Sequence, residues 1–136
     1  MSKVGQRERA TQNRIIHLFT EGLGFDYLGD WEDRENNSNV EEVLLADYLS
    51  EQGYSENLIE KALFQLNKSA GSQADALYDA NKRVYSQLRY GVEVRESQGE
   101  KKETVHFINW DEPAKNQFAI AEEVTVRGKH TKRPDI

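Results

Sequence analysis

The hydrophobic pattern of the chain changes after Gly91, where residues 92–110 read VEVRESQGEKKETVHFINW. The segments VEVRES and TVHFINW alternate apolar and polar residues, which is typical of strands. The QGEKK segment between them contains turn-forming residues, so the whole stretch predicts a β-hairpin. Because the residues before it have helical spacing, the stretch indicates a mixed α and β fold with helices first and strands afterwards.

Four helices are predicted before the hairpin from apolar residues that recur three and four positions apart. The first two span about residues 8–21, with Ile15, Leu18 and Phe19 on one face, and about residues 40–52, with N-cap candidates at 36–39. The segment between these two helices, FDYLGDWEDRENNSN, is predicted to be a polar loop.

The third and fourth helices each carry a capping signal at the N-terminus. Ser55 is a candidate N-cap for a helix whose apolar face is Leu58, Ile59, Ala62, Leu63 and Leu66. Ser72, with Asp75 three positions later, resembles a capping box for a helix that runs to about Arg89, with Leu77, Val84 and Leu88 as its apolar stripe. Gly91 is predicted to end this last helix.

Two further strands are predicted after the hairpin. The segment NQFAIAEEVTV, residues 116–126, has Phe118, Ile120, Val124 and Val126 as candidates for burial. The final PDI, residues 134–136, would open a fourth strand, because Pro is tolerated at the first residue of a strand. The sheet is therefore predicted to be incomplete, with its last strand only beginning.

Composition excludes several classes of protein. The chain has 136 residues and no Cys, which rules out disulfides, a thiolate nucleophile and a Cys-ligated zinc site within it. No apolar run approaches the roughly 20 residues that cross a bilayer, and the N-terminus MSKVGQRERATQNR is too polar for a secretory signal. We expect a soluble, cytoplasmic protein.

The distribution of charge is uneven, although the net charge is only −6. Residues 21–60 hold twelve Asp or Glu residues and a single base, Arg34. Residues 127–133, which we call the basic loop, hold four bases, one His and no acid. Such a chain can meet a phosphate backbone only at the basic loop, although both segments can equally be solvated surfaces that favour solubility.

Most catalytic motifs are missing from the sequence. It has no Gly-rich phosphate loop, His-Glu-x-x-His motif, nucleophile elbow or Ca²⁺ loop, and its three His residues are scattered. The remaining pattern is Pro134-Asp135-Ile136. An Asp that enters a sheet is costly to bury unless a cation or hydrogen bonds compensate it, so Asp135 is a candidate Mg²⁺ ligand. By itself, however, Pro-Asp is a dipeptide with a high false-positive rate.

Five segments in order carry a resemblance to a known family: ERATQNRIIHLF, YLGDWEDRENNSNVEEVLLADYL, RVYSQLRYGVEV, ETVHFINWDEP and NQFAIAEEVTVRGKHTKRPDI. Together they resemble the N-terminal region of the restriction (R) subunit of type I restriction–modification enzymes. The likeness extends from about Glu8 to Ile136, and the segments keep their order and spacing.

The resemblance implies that residues 1–136 are the N-terminal part of a restriction-endonuclease-like nuclease domain of the PD-(D/E)xK kind. The full subunit would continue into an ATP-driven motor that translocates DNA, so ATP would not bind to this part. The subunit would assemble with methylation and specificity subunits and cut foreign double-stranded DNA in a Mg²⁺-dependent reaction.

The same resemblance assigns expected roles to single residues. Asp135 matches the Asp of the PD half-motif and would be the catalytic metal ligand, whereas the (Asp/Glu)-x-Lys half lies on the following strand and is not in this chain. We therefore expect the chain to be a truncated piece that is inactive alone. Glu8 matches an acidic residue that the first helix brings towards the metal, although a solvated first-turn Glu is the alternative. Phosphates would meet the four bases of the basic loop: Arg127, Lys129, Lys132 and Arg133.

Two alternatives remain open from the sequence. The chain can be a non-catalytic docking module whose acidic helices bind partner subunits and whose Pro-Asp is incidental. Tyr85 and Tyr90, which lie near Arg83 and Arg89, can stack on bases, or they can belong to a helical core stripe beside snorkelling basic side chains.

Overall fold

The computed structural model of the chain describes residues 3–38, 40–71, 76–127, 131–134 and 136. They form two compact units: a first unit of Met1–Ser38 and Gln117–Ile136, and a second unit of Asn39–Asn116. The elements in chain order are α1 (Lys3–His17), a π-helical turn (Leu18–Gly22), β1 (Asp26–Asp30), α2 (Glu42–Glu51), α3 (Glu56–Ala70), α4 (Leu77–Tyr90), β2 (Val92–Arg95), β3 (Lys102–Val105), a 3-10 turn (Pro113–Lys115) and β4 (Ala119–Glu122). The predicted mixed α and β class is confirmed.

The first unit pairs β1 with β4 in parallel, so two strands distant in sequence form one small sheet. The prediction of a polar loop was wrong for β1, whose sequence DYLGD is rich in residues that disfavour strands. The partner strand overrides this local preference by supplying hydrogen bonds, such as those from Asp26 N to the Phe118 oxygen at 2.9 Å and from Trp31 N to the Glu122 oxygen at 2.8 Å. The Phe25 ring also stacks on Phe118 with 5.0 Å between centroids.

The strand predicted over residues 116–126 is only four residues long, Ala119–Glu122. It ends because Glu123 has φ of 54°, a left-handed conformation that breaks the extended backbone. Beyond this point Val126 forms an isolated antiparallel bridge with Lys132. Of the four residues predicted to be buried, Ile120 is buried, while Phe118 is 43% exposed.

The second unit is built from α2, α3, α4 and the β2–β3 hairpin. The predicted apolar face of α3 is confirmed, because it packs against α2, α4 and β2. The buried core residues are Tyr48, Leu49, Leu58, Ile59, Ala62, Leu66, Val92, Val94, Val105 and Phe107. Val84 and Leu88 of α4 pack against this core, but Leu77, predicted to be in the same stripe, is 77% exposed.

The predicted helix N-cap is confirmed where the side chain of the cap residue accepts a hydrogen bond from a backbone N–H of the helix. Ser55 caps α3 as predicted, since its hydroxyl accepts a hydrogen bond from Leu58 N at 3.3 Å. The N-cap of α2 is Glu41, not one of residues 36–39, and it makes no capping hydrogen bond. The capping box predicted at Ser72 and Asp75 lies outside the described residues.

The first helix differs from its prediction at both its start and its apolar face. It begins at Lys3 and not near Glu8, and Ile15 and Leu18 are exposed at 36% and 55%. Among residues 5–17 of α1, whose burial is described, Gln12 is the buried one, at 5% exposure. A polar residue therefore occupies the face that was predicted to be apolar. Its side chain is buried there because it donates hydrogen bonds to the carboxylates of Glu122 and Glu123.

The hairpin predicted from the opening stretch is confirmed. β2 and β3 are antiparallel, with Val92 opposite Val105 and Arg95 opposite Lys102. The second strand begins earlier than the predicted TVHFINW segment, and Gly91 ends α4 as expected, its N–H donating to the Gln87 oxygen at 2.9 Å.

The acidic segment at residues 21–60 does not form a single surface of either unit, because the division at Ser38 and Asn39 splits it between the two units. None of the described helices combines the length and the apolar character that a membrane span requires.

Candidate functional site

The expected metal ligand, Asp135, and one base of the basic loop, Lys129, lie outside the described residues. Arg127 and Lys132 are described, and both are exposed. The backbone of Lys132 exchanges two hydrogen bonds with Val126, at 2.7 and 2.9 Å. The basic loop is therefore closed at its base by an antiparallel bridge that places its two described ends side by side.

Arg133, expected to contact phosphate, pairs with two carboxylates. Its Nη1 lies 2.5 Å from Glu32 Oε1, and its Nε lies 2.9 Å from Glu123 Oε2. The Arg133 side chain is about half exposed, at 49%. A phosphate would have to compete with both carboxylates, so the structure gives Arg133 a part in fixing the end of the basic loop to the first unit.

Glu8, the expected acid of the first helix, is exposed on α1. Its neighbours Arg9 and Gln12 contact β4 instead. Arg9 Nη2 lies 3.1 Å from Glu122 Oε1, and Gln12 Nε2 donates to Glu122 Oε2 at 3.4 Å. The structure therefore brings together residues of α1 and β4 that the sequence analysis had not singled out.

Glu122 is the centre of this cluster. Its side chain is only 2% exposed, so its charge is almost fully removed from water. A buried carboxylate is costly unless it is paired and hydrogen-bonded, and here one oxygen faces a guanidinium while the other accepts from an amide. The cluster fixes the end of β4 against α1, directly before the segment that leads to the basic loop.

Tyr27 of β1 lies beside the same carboxylate. Burial, followed by the negative charge of Glu122, raises the pKa of Tyr27 above its usual value, because both oppose a phenolate. The hydrogen bond and the charge of Glu122 also raise the pKa of Arg9, which stays protonated. Arg9 therefore keeps its positive charge, whereas Tyr27 can lose its proton in strongly alkaline solution.

Replacing Tyr27 with Phe is expected to weaken the loss of stability at alkaline pH. A raised folded-state pKa contributes stability that is complete below about pH 10 and is lost as the pH rises through the folded pKa. The slope of the free energy of unfolding against pH, measured by urea denaturation between about pH 9 and about pH 11, should therefore be shallower in the variant. The difference in the free energy of unfolding between the variant and the unsubstituted chain at about pH 7 measures any effect of the substitution that is unrelated to titration. An unchanged alkaline slope would contradict the prediction.

The backbone around the cluster is held by an amide and a turn. The Asn37 amide donates to the backbone oxygens of Trp31 and Thr125, at 3.0 and 2.9 Å, and so links the loop after β1 to the segment after β4. Glu123, in its left-handed conformation, accepts from Gln12 at 3.4 Å. The chain is thus fixed on both sides of the turn that redirects it towards the basic loop.

The described residues do not form a metal centre by themselves. Within the part of the chain that the structure describes, no three His, Cys, Asp or Glu side chains are placed to hold a metal ion. Both oxygens of Glu122 already have partners, and Glu123 is paired with Arg133. These carboxylates therefore position the backbone.

The sequence contained one signal for the buried cluster that was not used. Glu122 has the same parity as Ile120 and Val124 in the predicted strand, so alternation places it on the apolar face. A carboxylate at such a position needs a cation, but nothing in the local sequence identifies that cation as Arg9, because the two residues are more than one hundred positions apart.

Comparison with known proteins gives one family match. A family model described as the type I restriction enzyme R protein N terminus matches residues 5–136. No curated protein and no solved structure matches the chain. The matched range includes α1 from its third residue onwards, the Glu122 cluster, the basic loop and Asp135.

Proposed function

The chain belongs to the family of type I restriction enzyme R protein N-termini, and we propose that it forms the first part of the DNA-cleaving region of such a subunit. The observation that carries this proposal is the extent of the match, which covers nearly the whole chain and both compact units. Cleavage of double-stranded DNA would take place in the assembled complex, together with methylation and specificity subunits. ATP-driven translocation would belong to the motor of the full subunit.

Asp135 supplies one carboxylate to the proposed cleavage site, within a nuclease fold of the PD-(D/E)xK kind. When Mg²⁺ is bound in such a site, it neutralises the charge that develops on the phosphate during hydrolysis. A Mg²⁺ site needs more donors than one carboxylate. The described residues contain no group of three His, Cys, Asp or Glu side chains that could hold a metal ion. The remaining ligands and the Lys would come from the (Asp/Glu)-x-Lys half on a following strand, and this 136-residue chain alone is expected to be inactive.

The described residues have a positioning role in this proposal. The pairing of Glu122 with Arg9 and Gln12 fixes the end of β4, and the pairing of Arg133 with Glu32 and Glu123 fixes the residue that precedes Pro134-Asp135. A carboxylate that shares a metal must be held within a fraction of an ångström, so supporting contacts of this kind are needed next to it.

Within the basic loop, Arg127 and Lys132 are the described bases that we assign to contacts with DNA. Both are exposed, and the bridge between Val126 and Lys132 holds them at the base of one loop. Contacts of these side chains with phosphates would position the duplex without reading its sequence. This agrees with a subunit that leaves recognition of the DNA sequence to another protein.

A non-catalytic docking module is the second candidate, because α2 and α3 carry many exposed acidic side chains. The two functions differ in what the gene encodes after the Ile136 codon, and sequencing beyond that codon tests them. For a nuclease we expect an apolar strand and (Asp/Glu)-x-Lys within roughly 10 to 20 residues. A stop codon directly after Ile136 would contradict the nuclease proposal and favour docking.

A further inference from the structure

One face of α4 exposes aromatic and basic side chains in alternation: Tyr78, Lys82, Tyr85 and Arg89. We call these four residues the aromatic–basic stripe. The sequence analysis left open whether tyrosines of this helix belong to a core stripe, and the structure excludes this for the described tyrosines of α4. Tyr78 and Tyr85 are 75% and 63% exposed, and Tyr90, after the stripe, is 66% exposed.

Helix geometry explains why these four side chains share one face. Their spacings of four, three and four residues keep them within one sector of a helix with 3.6 residues per turn. The opposite side of α4 carries the buried Ala80 together with Val84 and Leu88, which pack against the core of the second unit. The aromatic–basic stripe therefore points away from the core, and it extends about 16 Å along the helix.

An indole continues the stripe at its C-terminal end. The Arg89 guanidinium carbon lies 5.1 Å from the centroid of the Trp110 ring and 5.6 Å from that of Tyr90. The Trp110 ring is half exposed, and its Nε1 donates to the Leu88 backbone oxygen at 3.1 Å. A large aromatic ring is thus held in a fixed orientation beside a cation, with part of its surface open to solvent.

The charge of this helix is opposite to that of the whole chain. Residues 77–90 contain three bases and one acid, whereas the chain carries a net charge of −6. Alternating rings and cations complement a partner that alternates flat apolar groups with negative charges.

We propose that the aromatic–basic stripe, with Trp110 beside it, binds single-stranded nucleic acid. Unpaired bases stack on Tyr78, Tyr85 and the Trp110 indole, while Lys82 and Arg89 contact the phosphates between them. The two stripe tyrosines are separated by about 10.5 Å along the helix axis. That separation corresponds to about three nucleotides at the ~3.4 Å spacing of stacked bases along one strand.

A single strand fits this surface better than a duplex or a protein. In a duplex the bases are already stacked on each other, so exposed rings along a helix gain little from it. An acidic protein segment would pair with the cations but would leave two exposed tyrosines and the indole without flat partners. The proposed surface lies within the second unit, whereas the basic loop and Asp135 belong to the first unit, so the inference goes beyond the proposed function.

The test is fluorescence anisotropy of a labelled single-stranded oligothymidylate, titrated with the 136-residue chain in the presence of a metal chelator. We expect saturable binding. We expect Tyr78→Ala combined with Tyr85→Ala to raise the Kd at least about 30-fold, because each substitution removes the stacking of one base and the two losses of binding free energy add. Tyr78→Phe combined with Tyr85→Phe keeps the rings and should bind almost as well as the unsubstituted chain. Lys82→Ala combined with Arg89→Ala should reduce the slope of log Kd against log salt by about 1.4.

Two variants serve as matched controls. Phe64→Ala removes a ring of the second unit that is 68% exposed and lies outside the stripe, and it should leave the Kd unchanged. Arg127→Ala combined with Lys132→Ala removes two described bases of the basic loop, and it should weaken binding of a duplex more than binding of oligothymidylate. Failure of this pair to weaken duplex binding would count against the DNA contacts of the proposed function, without affecting the stripe.

Several results would overturn the inference. One is a Kd for oligothymidylate that does not change when the two stripe tyrosines become Ala. Another is duplex binding that is as tight as single-strand binding and depends equally on these tyrosines. If circular dichroism shows that the variants are folded and no oligonucleotide binds, the stripe is a surface for a protein partner.

Discussion

Replacing Asp135 with Ala in a full-length R subunit that carries this chain is expected to reduce Mg²⁺-dependent DNA cleavage about 1,000-fold. The reason is the loss of a carboxylate that holds the metal at the phosphate, and the described residues contain no group of three His, Cys, Asp or Glu side chains that could hold the metal instead. The measurement is the rate at which the assembled complex linearises a circular plasmid in the presence of ATP and Mg²⁺. ATP hydrolysis should be unchanged, because it would belong to the motor.

Asp33→Ala is the matched control for this experiment. Asp33 is an exposed carboxylate of the same unit, so its removal changes the net charge equally without touching the proposed site. Asp135→Asn, which keeps the shape but lacks the charge, should be nearly as defective as Asp135→Ala. Cleavage by Asp135→Ala at the unsubstituted rate would exclude Asp135 as a metal ligand.

Replacing Gly91 with Ala is expected to have the largest effect on folding, lowering the free energy of unfolding of the second unit by about 4 kcal/mol. Gly91 has φ of 82° and ψ of −177°, a region that only Gly occupies easily. A Cβ would also lie 2.6 Å from the Val105 backbone oxygen and 2.9 Å from Thr104 Cγ2. Backbone strain of ~1–3 kcal/mol would add to a clash of similar size, because the Val105 oxygen belongs to the hairpin and has little freedom to move.

Gly99→Ala separates the two causes. Gly99 also has a positive φ, 87°, but a Cβ there meets no atom within 4 Å. It should cost only the backbone strain, on the order of 1 kcal/mol. The difference in urea midpoints between the two variants then measures the clash together with any difference in backbone strain, and equal midpoints would contradict an energetic cost of the close approach of Gly91 to β3.

Local signals in the sequence predicted most of the second unit. Ser55, followed by apolar residues at helical spacing, predicted α3, and the alternation of apolar and polar residues after Gly91 predicted the hairpin. Both elements depend on interactions between residues that are close in sequence. The first unit was predicted less well. Its strand β1 has poor strand residues and exists through pairing with β4, and no pattern within residues 25–39 reveals a partner that far along the chain.

In the candidate site, too, features that are read along the sequence were predicted, and contacts between residues distant in sequence were not. The residues of the basic loop and Asp135 were predicted from composition and from the family resemblance, both of which are read along the sequence. The Glu122 cluster was missed because a buried ion pair is defined by three-dimensional proximity, and Arg9 had no local feature to mark it. The exposure of Tyr78 and Tyr85 was also decided by packing, since Val84 and Leu88 are the apolar residues of α4 that pack against the core of the second unit.

The parallel pairing of β1 with β4 has a consequence for the order in which the chain folds during synthesis. Asp26 pairs with Ala119, so β1 leaves the ribosome about ninety residues before its partner strand does. At roughly 5–20 residues per second, this delay is about 5–20 s. The second unit is continuous in sequence and emerges completely within that interval. Its hairpin and helices can therefore be folded before β1 and β4 are able to pair and complete the first unit.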